Sequence, residues 1–345
     1  MKILFAIQGT GNGHLSRARD VYPELARHGE VDVLISGIQA DVAVPFPVKY
    51  RHYGMSFIFG KRGGVDIFET TKKLKLFRLL KDIRECPVEQ YDLVVNDFEP
   101  VTAWACKRKK VPCISLSHQC AVLHPSAPKP KSTDPMGYLV LKNYAPVTAA
   151  YGFHFAAYGQ NIFTPVIRRE IRELKPTDNG HYTVYLPAYD DEKLLKHLSA
   201  FPDARWEVFS KHNAAPIQQG NVTIRKIDNR AFIESMAAST GVLCGAGFEG
   251  PAEAMYLGKK VLVIPMLTQY EQHCNAAGAA TMGATVVQTL EEKNYPAIRN
   301  WIDNGKHLSC DYPDITDKVI AKLIKENTST ALQTPLVYSL ASALQ

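Results

Sequence analysis

Short apolar runs alternate with longer amphipathic stretches along most of the chain. The runs are typical of strands buried on both faces of a parallel sheet, and the amphipathic stretches are typical of the helices that cover such a sheet. The predicted strands are residues 2–7, 31–36, 48–51, 93–96, 113–117, 182–186, 206–209, 222–225, 242–244, 261–264 and 285–287. The predicted helices are residues 16–27, 72–84, 100–109, a stretch ending near 150, 190–198, 230–238, 251–257 and 314–325. This alternation predicts an α/β fold with doubly wound parallel sheets.

The alternation stops between residues 153 and 164, which lack a hydrophobic period, and it restarts afterwards. A length of 345 residues fits two domains of ordinary size. We therefore predict a division into a first domain, a linker, a second domain and a tail that packs back on the first domain. Their bounds are residues 1–155, 156–165, 166–325 and 326–345. Residues 52–70 and 121–137 are predicted to be loops.

An apolar fraction of 46% and a charged fraction of 21% are those of a globular protein with an ample core. No apolar run approaches the length of a membrane span, and the apolar part of the N-terminus is too short for a secretory signal. The seven cysteines include no C-x-x-C pair, so they indicate reduced thiols rather than disulfides or a metal site. We expect a cytoplasmic protein.

The net charge is +6, and a cluster of lysines and arginines lies between residues 61 and 84. This cluster could contact the inner face of a membrane, or it could attract an anionic substrate. The alternative is a solvated helix next to a mobile lid. No nucleic-acid-binding module accompanies the charges, so we expect no nucleic-acid partner.

A glycine turn follows the strand predicted at residues 242–244, and Pro251 stands where the next helix is predicted to begin. A strand, a glycine turn and a helix N-terminus form an anion site, because free amides and the helix dipole favour negative charge there. The glycines are Gly245, Gly247 and Gly250. The alternative is that they serve only the close packing of the helix on the strand.

A second polar cluster follows the strand predicted at residues 261–264. Both turns lie at the carboxyl edge of one parallel sheet, where ligands bind. One site could therefore hold phosphate at the first turn and hydroxyl groups at the second, which favours ligand binding over packing. The cluster consists of Gln269, Glu271, Gln272 and Asn275.

The first strand is followed by Q-G-T-G-N-G-H at residues 8–14. This is not the dinucleotide fingerprint, because His14 replaces its third glycine and no acidic residue ends the second strand. It is not a P-loop either, because G-K-[ST] is missing. The turn instead presents His14 at the mouth of the sheet, where an imidazole with a near-neutral pKa can act as a general base.

Asp97 and His118 are each predicted to end a strand at the same edge as His14. A buried carboxylate such as Asp97 would raise the basicity of His14 and fix its tautomer. His118 is a further candidate for a catalytic residue. The alternative for all three is a polar side chain that caps a turn.

Together, these motifs make the sequence similar to the GT-B glycosyltransferases, in particular the MurG-like enzymes. The resemblance covers nearly the whole chain, and three patterns carry it: G-x-G-H-x-x-R at residues 11–17, G-F-x-G-x-x-E-A at residues 247–254 and P-x-x-x-Q-x-E-Q-x-x-N-A at residues 265–276. It implies two Rossmann-like domains whose parallel sheets face each other across a cleft.

The resemblance also implies a donor site in the second domain for a nucleotide-sugar, usually a UDP-sugar, which is a co-substrate and not a cofactor. In such enzymes the glycine turn binds the diphosphate, and the position matched by Glu253 binds the ribose. Positions matched by Glu271 and Gln272 contact the donor sugar, while His14 matches the candidate base. The donor-binding residues assigned on this basis are Gly11, Gly13, Ile227, Phe232, Gly245, Gly247, Phe248, Glu249, Gly250, Glu253, Gln269, Glu271, Gln272 and Asn275.

The chain departs from the family pattern at Gly245, where plant-type members carry a histidine that helps to hold the diphosphate. Retaining enzymes often carry two glutamates seven residues apart, and the first would also fall at Gly245. Its absence favours inversion at the anomeric carbon. The lack of an Asp-x-Asp motif favours a reaction without a metal. The acceptor implied by the MurG-like enzymes is a glycan or a lipid-linked precursor.

Two other functions fit the same sequence. A nucleotide-sugar 2-epimerase shares the fold and has no acceptor. A non-catalytic protein that binds nucleotide-sugars is the second alternative, and the presence of both His14 and Asp97 makes it less attractive.

Overall fold

The computed structural model describes residues 1–10, 12–37, 44–54, 76–132, 134–212 and 215–328. The described strands are β1 Lys2–Gln8, β2 Glu30–Ser36, β3 Tyr50–His52, β4 Leu93–Asp97, β5 Ile114–Leu116, β6 Ala149–Phe153, β7 Ile162–Phe163, β8 His181–Tyr185, β9 Arg205–Ser210, β10 Ile217–Gln219, β11 Val222–Lys226, β12 Gly241–Gly245, β13 Lys260–Ile264 and β14 Thr285–Val286. The described helices are α1 Asn12–Ala26, α2 Leu76–Glu85, α3 Pro100–Lys109, α4 His118–Leu123, α5 Pro135–Tyr144, α6 Arg169–Arg172, α7 Asp191–Leu198, α8 Asn229–Ala238, α9 Glu249–Tyr256, α10 Tyr270–Thr281, α11 Tyr295–Asn304 and α12 Thr316–Thr328. The predicted α/β fold is confirmed.

These strands form two seven-stranded sheets, one in each half of the chain. The first has the order β3-β2-β1-β4-β5-β6-β7 and the second the order β10-β11-β9-β8-β12-β13-β14. Every pairing is parallel except that of β10 with β11. The strand order reverses between β1 and β4 in the first sheet and between β8 and β12 in the second. Ligands bind outside the carboxyl ends of the strands at such switch points.

The prediction of a helix up to residue 150 was wrong. Helix α5 ends at Tyr144, and β6 then pairs with β5 in the first sheet. The alternation of apolar and small residues in this short strand gives no strong period, so a helical continuation could not be separated from it. Within the proposed linker, β7 pairs with β6 and extends the same sheet. The domain bounds themselves stay a prediction.

Two helix starts also differ from the prediction. Helix α9 begins at Glu249, two residues before Pro251. Proline is tolerated there because the first-turn amides of a helix have no acceptor within it. His118 does not end a strand but is the first residue of α4, and the Ser117 hydroxyl caps that helix by accepting from the Cys120 amide. The sequence pattern does not distinguish a polar residue that ends a strand from one that begins the following helix.

Several expectations fall outside the described residues. They concern Gly11, most of the loop at 52–70 and of the basic cluster at 61–84, and the tail beyond Thr328. The described end of the basic region is α2, which exposes Leu76, Phe77 and Leu80.

The last described helix, α12, connects the two halves of the chain. It packs against α1 of the first half. The Tyr151 hydroxyl on β6 donates to Glu326, and the Asn327 amide donates to that hydroxyl at 3.1 Å. One buried apolar cluster contains side chains of β1, β12 and α12. Within the described part of the chain, none of the helices has the length and apolarity that crossing a membrane requires.

Candidate functional site

A cavity of about 800 Å³ opens between the two halves of the chain. Its walls come from the start of α1, from the segment after β8 and from the turn between β12 and α9. It therefore lies at the carboxyl ends of strands beside the switch point of the second sheet, and α1 closes it from the first sheet. A volume of this size lies within the range of about 300–1,000 Å³ that small-molecule sites occupy.

The N-terminus of α9 faces this cavity and is open. A Cβ atom added at Gly247 or Gly250 would meet none of the described atoms within 4 Å, and one at Gly245 would come only to 4.0 Å. The N-cap residue Phe248 makes no side-chain hydrogen bond to the helix end within the described residues. Close helix–strand packing therefore does not explain these glycines. The free space lies where first-turn amides can bind an anion.

Aromatic side chains form the wall of the cavity that lies after β8. Tyr185 and Phe232 line it with ring centroids 5.5 Å apart, and Ile227 lies beside them. The Ile227 amide donates to the Ser210 carbonyl at 2.9 Å. The cavity thus joins an apolar, aromatic part to the amide end of α9.

Glu253 lies on α9 at the same cavity, with only 2% of its surface exposed. Arg168 donates to both carboxylate oxygens, from Nε at 2.5 Å and from Nη2 at 2.9 Å. The same guanidinium donates from Nη1 to Asn229 at 2.9 Å. This fork fixes the carboxylate of Glu253 at the cavity wall.

The second polar cluster does not act as one group. Gln272 lines the cavity, and its Oε1 accepts from the Met266 amide at 2.9 Å. Gln269 is the N-cap residue of α10 without a side-chain cap, and its Oε1 has no partner among the described residues. Glu271 accepts from Gln119 Nε2 at 3.1 Å, and Asn275 is fully buried. Of the four, only Gln272 lines the cavity.

His14 lies one residue beyond Gly13, which lines the cavity. Its Nδ1 is 2.9 Å from Asp97 Oδ1. Because a carboxylate only accepts, Nδ1 carries the hydrogen and a neutral ring keeps its lone pair on Nε2. Nε2 is 3.4 Å from the amide nitrogen of Gln119, the residue that also donates to Glu271 of the other half. The acceptor nitrogen of His14 therefore faces the space between the two halves.

Opposing effects set the protonation of this pair. Burial disfavours the charged form of His14, but the Asp97 and Glu249 carboxylates outweigh burial and the nearby Arg17, and they raise the pKa of His14 above 6.5. Burial likewise opposes ionisation of Asp97, but Arg17 and His14 lower its pKa below the usual value. The geometry thus couples an ionised carboxylate to an imidazole of increased basicity.

His118 lies elsewhere than the sequence indicated. Its ring is 1% exposed, is stacked on Phe248 with centroids 3.9 Å apart, and makes contacts at both nitrogens: Nδ1 with the Phe153 carbonyl and Nε2 with Asn275 Oδ1. Burial lowers the pKa of His118 to about 4. Both nitrogens of His118 have partners, and the side chain joins the two halves through Phe248 and Asn275. Its catalytic role stays a prediction.

Three residues of the site were missed in the sequence. Arg168 and Gln119 carry no recognisable motif of their own. Arg17 is the last position of G-x-G-H-x-x-R, so the pattern contained a signal for it. Glu249, an expected residue of the donor site, lines the cavity, and its Oε1 accepts from Arg17 across the gap.

Comparisons with known proteins agree with this architecture. The family model described as glycosyl transferase family 1 matches residues 1–304. No curated protein matches the sequence significantly. Acinetobacter baumannii MurG is similar in fold, with a TM-score of 0.53, 14% identity, and coverage of 94% of this chain and 100% of that chain.

Two further solved structures are similar in fold. For Arabidopsis thaliana UGT89C1 complexed with UDP, the TM-score is 0.54, the identity is 12%, and 98% of this chain and 96% of that chain are covered. For a UDP-N-acetylglucosamine 2-epimerase the TM-score is 0.52 at 13% identity, with 94% of this chain and 96% of that chain covered. The two-sheet architecture and the family match together show that the chain belongs to glycosyl transferase family 1 and is a glycosyltransferase with the GT-B fold.

Proposed function

We propose that the protein transfers a sugar from a nucleotide-sugar donor, a UDP-sugar, to a hydroxyl group of an acceptor, with inversion at the anomeric carbon. One observation carries the proposal. The open end of α9 faces a cavity of about 800 Å³ whose far wall is aromatic. This arrangement suits a ligand with an anionic centre and a flat base at one end. UGT89C1, which is similar in fold, was solved as a complex with UDP, and UDP is a ligand of this kind.

In this proposal the amides of residues 247–250 bind the diphosphate. Gly247 and Gly250 leave the space that the phosphate oxygens need, and the helix dipole supplies positive potential there. Leaving-group charge develops at the same place during transfer, so the amides stabilise the transition state. We expect this to work without a metal ion. The nucleotide base, uracil, lies near Ile227 and Phe232. Glu253 accepts hydrogen bonds from the ribose hydroxyls.

His14 is the proposed general base. Its Nε2 takes the proton of the acceptor hydroxyl while the hydroxyl oxygen attacks the anomeric carbon. The bond between that carbon and the diphosphate oxygen breaks, and the diphosphate leaves with the electron pair. Asp97 keeps the hydrogen on Nδ1 and stabilises the imidazolium that forms.

The pH dependence of kcat/KM should report this pair in the free enzyme. His14 must be neutral to accept a proton and its carboxylate neighbours raise its pKa, so kcat/KM should fall toward acid pH with a midpoint above the ordinary histidine value. Asp97→Asn should move that midpoint to lower pH and also lower the plateau, because the carboxylate that raises the pKa is lost. Steady-state kinetics from pH 5 to 9 measure both. A midpoint that does not respond to Asp97→Asn would separate the observed ionisation from His14.

Glu253→Ala should weaken UDP binding by about 10- to 100-fold, because hydrogen bonds to a charged group contribute roughly 1.5–3 kcal/mol. It should also lower the free energy of unfolding by about 1–3 kcal/mol, since Arg168 loses two hydrogen bonds and keeps only Glu170 and Asn229 as partners. Glu170→Ala is the matched control, because Glu170 also pairs with Arg168 but is about one-third exposed. Calorimetry and urea unfolding measure the two effects. Unchanged UDP affinity in Glu253→Ala would remove Glu253 from the donor site.

The acceptor is proposed to be a glycan or a lipid-linked precursor that meets the protein near residues 52–84. The described helix α2 supports this with an apolar surface on which Phe77 is 91% exposed, next to the basic residues Lys81 and Arg84. Such a surface suits the anionic inner face of a membrane. Flotation with anionic liposomes tests the membrane contact, and protein that stays in the dense fraction at low salt counts against it.

The direct test is an assay of the purified protein with a panel of UDP-sugars and hydroxyl acceptors. Release of UDP that depends on the acceptor supports transfer. The fold is also similar to that of a UDP-N-acetylglucosamine 2-epimerase, so 2-epimerisation is the second candidate function. In that case UDP-N-acetylglucosamine would be epimerised without any acceptor. Binding of nucleotide-sugars with neither reaction would indicate a non-catalytic binding protein.

A further inference from the structure

Arg17 is a charged motif residue that neither donor binding nor proton transfer explains. It follows His14 by three positions on α1, so both side chains lie on one face of the helix. Its side chain is 2% exposed. Nη2 donates to both oxygens of Asp97, at 2.6 and 2.7 Å, and Nη1 donates to Glu249. A single buried guanidinium thus connects two carboxylates from opposite halves of the chain.

Gly13 of the first motif lies directly beside the carboxylate of Glu249. A Cβ atom at Gly13 would lie 2.6 Å from Glu249 Oε2, so any larger residue would displace this carboxylate. Glu249 is also the first residue of α9, whose amide end faces the cavity. The two motifs therefore meet at this ion pair, with Gly13 and Arg17 from one half and Glu249 from the other.

We propose that Arg17 is a positioning residue for the transfer reaction: its two ion pairs hold Asp97 against His14 while Glu249, at the start of the donor-binding helix, is docked across the cleft. The inference rests on the proposed role of His14 as the base. Glu249 neutralises part of the Arg17 charge. Without that carboxylate, the charge would act on Asp97 alone and weaken its hold on the imidazole. The contact across the cleft thus keeps His14 basic.

The charged and titratable groups that face His14 come from five elements. They are Arg17 on α1, Asp97 on β4, His118 on α4, Glu249 on α9 and Glu271 on α10. A change at Glu249 leaves the Asp97 carboxylate and the Arg17 guanidinium present in the chain, so it isolates the contribution that crosses the cleft. Glu249 is also suitable because its side chain is 19% exposed, whereas removal of Arg17 would leave the buried Asp97 carboxylate with His14 as its remaining charged partner.

The test follows the ring of His14 by NMR in protein labelled at histidine, with His14→Gln used to assign the signal. In Glu249→Gln, which keeps the size and removes the charge, the His14 titration should move to lower pH. Plateau kcat should fall about 10- to 100-fold, because a displaced base is costly even when the shift is small. The midpoint of kcat/KM should follow the NMR titration, because both report the free enzyme. Glu170→Gln removes a charge elsewhere in the same region and should leave the His14 titration unchanged.

A double-mutant cycle separates coupling from stability. Arg17→Met combined with Glu249→Gln should have a kcat close to that of Arg17→Met alone, because both changes break one connection. If Arg17→Met does not fold, Arg17→Lys replaces it, since a single ammonium does not form the same fork to two carboxylates. A His14 titration in Glu249→Gln that coincides with the wild type overturns the proposal. The NMR measurement needs no turnover, so its failure is distinguishable from a failure to find transfer activity.

Discussion

His14→Ala is expected to lower kcat by about 10²- to 10⁴-fold, the usual contribution of a positioned general base. The affinity for UDP should change little, because His14 does not line the donor cavity. Its Nδ1 is held by Asp97 and its Nε2 faces the space between the halves. The variant therefore removes proton transfer and leaves the amide site intact. Turnover kinetics and calorimetry with UDP measure the two quantities separately.

His118→Ala is the informative control for this prediction. His118 joins the halves through Phe248 and Asn275, and both of its nitrogens are occupied. Its loss should reduce the free energy of unfolding and affect plateau kcat less than His14→Ala does. If the order of the two kcat effects were reversed, the role of base would move from His14 to His118.

Gly250→Val is expected to weaken UDP binding by about 10- to 100-fold or more while leaving the fold stable. Its side chain would enter space that is empty of described protein atoms but is needed by phosphate oxygens. The helix cost is small, because valine differs from other residues in helix propensity by less than about 1 kcal/mol. A residue that served packing would show the opposite pattern, with a large loss of stability. Urea unfolding and calorimetry distinguish the two.

Gly258→Ala is the matched control at the other end of α9. A Cβ there also meets none of the described atoms within 4 Å, but the φ of Gly258 is +76°. A non-glycine residue in this left-handed conformation costs roughly 1–2 kcal/mol. We therefore expect lower stability and unchanged UDP affinity for Gly258→Ala, the reverse of the result at Gly250. Equal losses of affinity in the two variants would contradict the assignment of the α9 start to phosphate binding.

The positions of His14, Asp97 and the glycine turn could be predicted because each follows a strongly apolar strand. Parallel strands bring their carboxyl ends to one edge, so residues far apart in sequence fall at one site without any knowledge of side-chain contacts. The resemblance to GT-B enzymes added the order of the two domains. The hydrophobic patterns of residues 149–153 and 162–163 were too short to identify these segments as strands. The helix start near residue 250 was placed two residues late, because proline also occurs later in the first turn of a helix.

The partners of charged side chains could not be predicted in this way. Glu249 and Arg17 are 232 residues apart, and Arg168 and Glu253 are 85 apart, so no local pattern joins them. The partners of His118 could not be predicted either, because a buried polar residue at a sheet edge has the same sequence pattern whether it contacts a ligand or the other half of the chain. The pair of Arg17 and Glu249 is decided by how the two halves meet, and the pair of Arg168 and Glu253 by the packing within the second half.

Calorimetric titration of UDP and of uridine into the wild-type protein tests the central claim most directly, because the two ligands differ only in the diphosphate. If the amides at the start of α9 bind that group, UDP should bind at least about 100-fold more tightly than uridine, and Gly250→Val should remove most of the difference. Equal affinities for UDP and uridine would contradict the account.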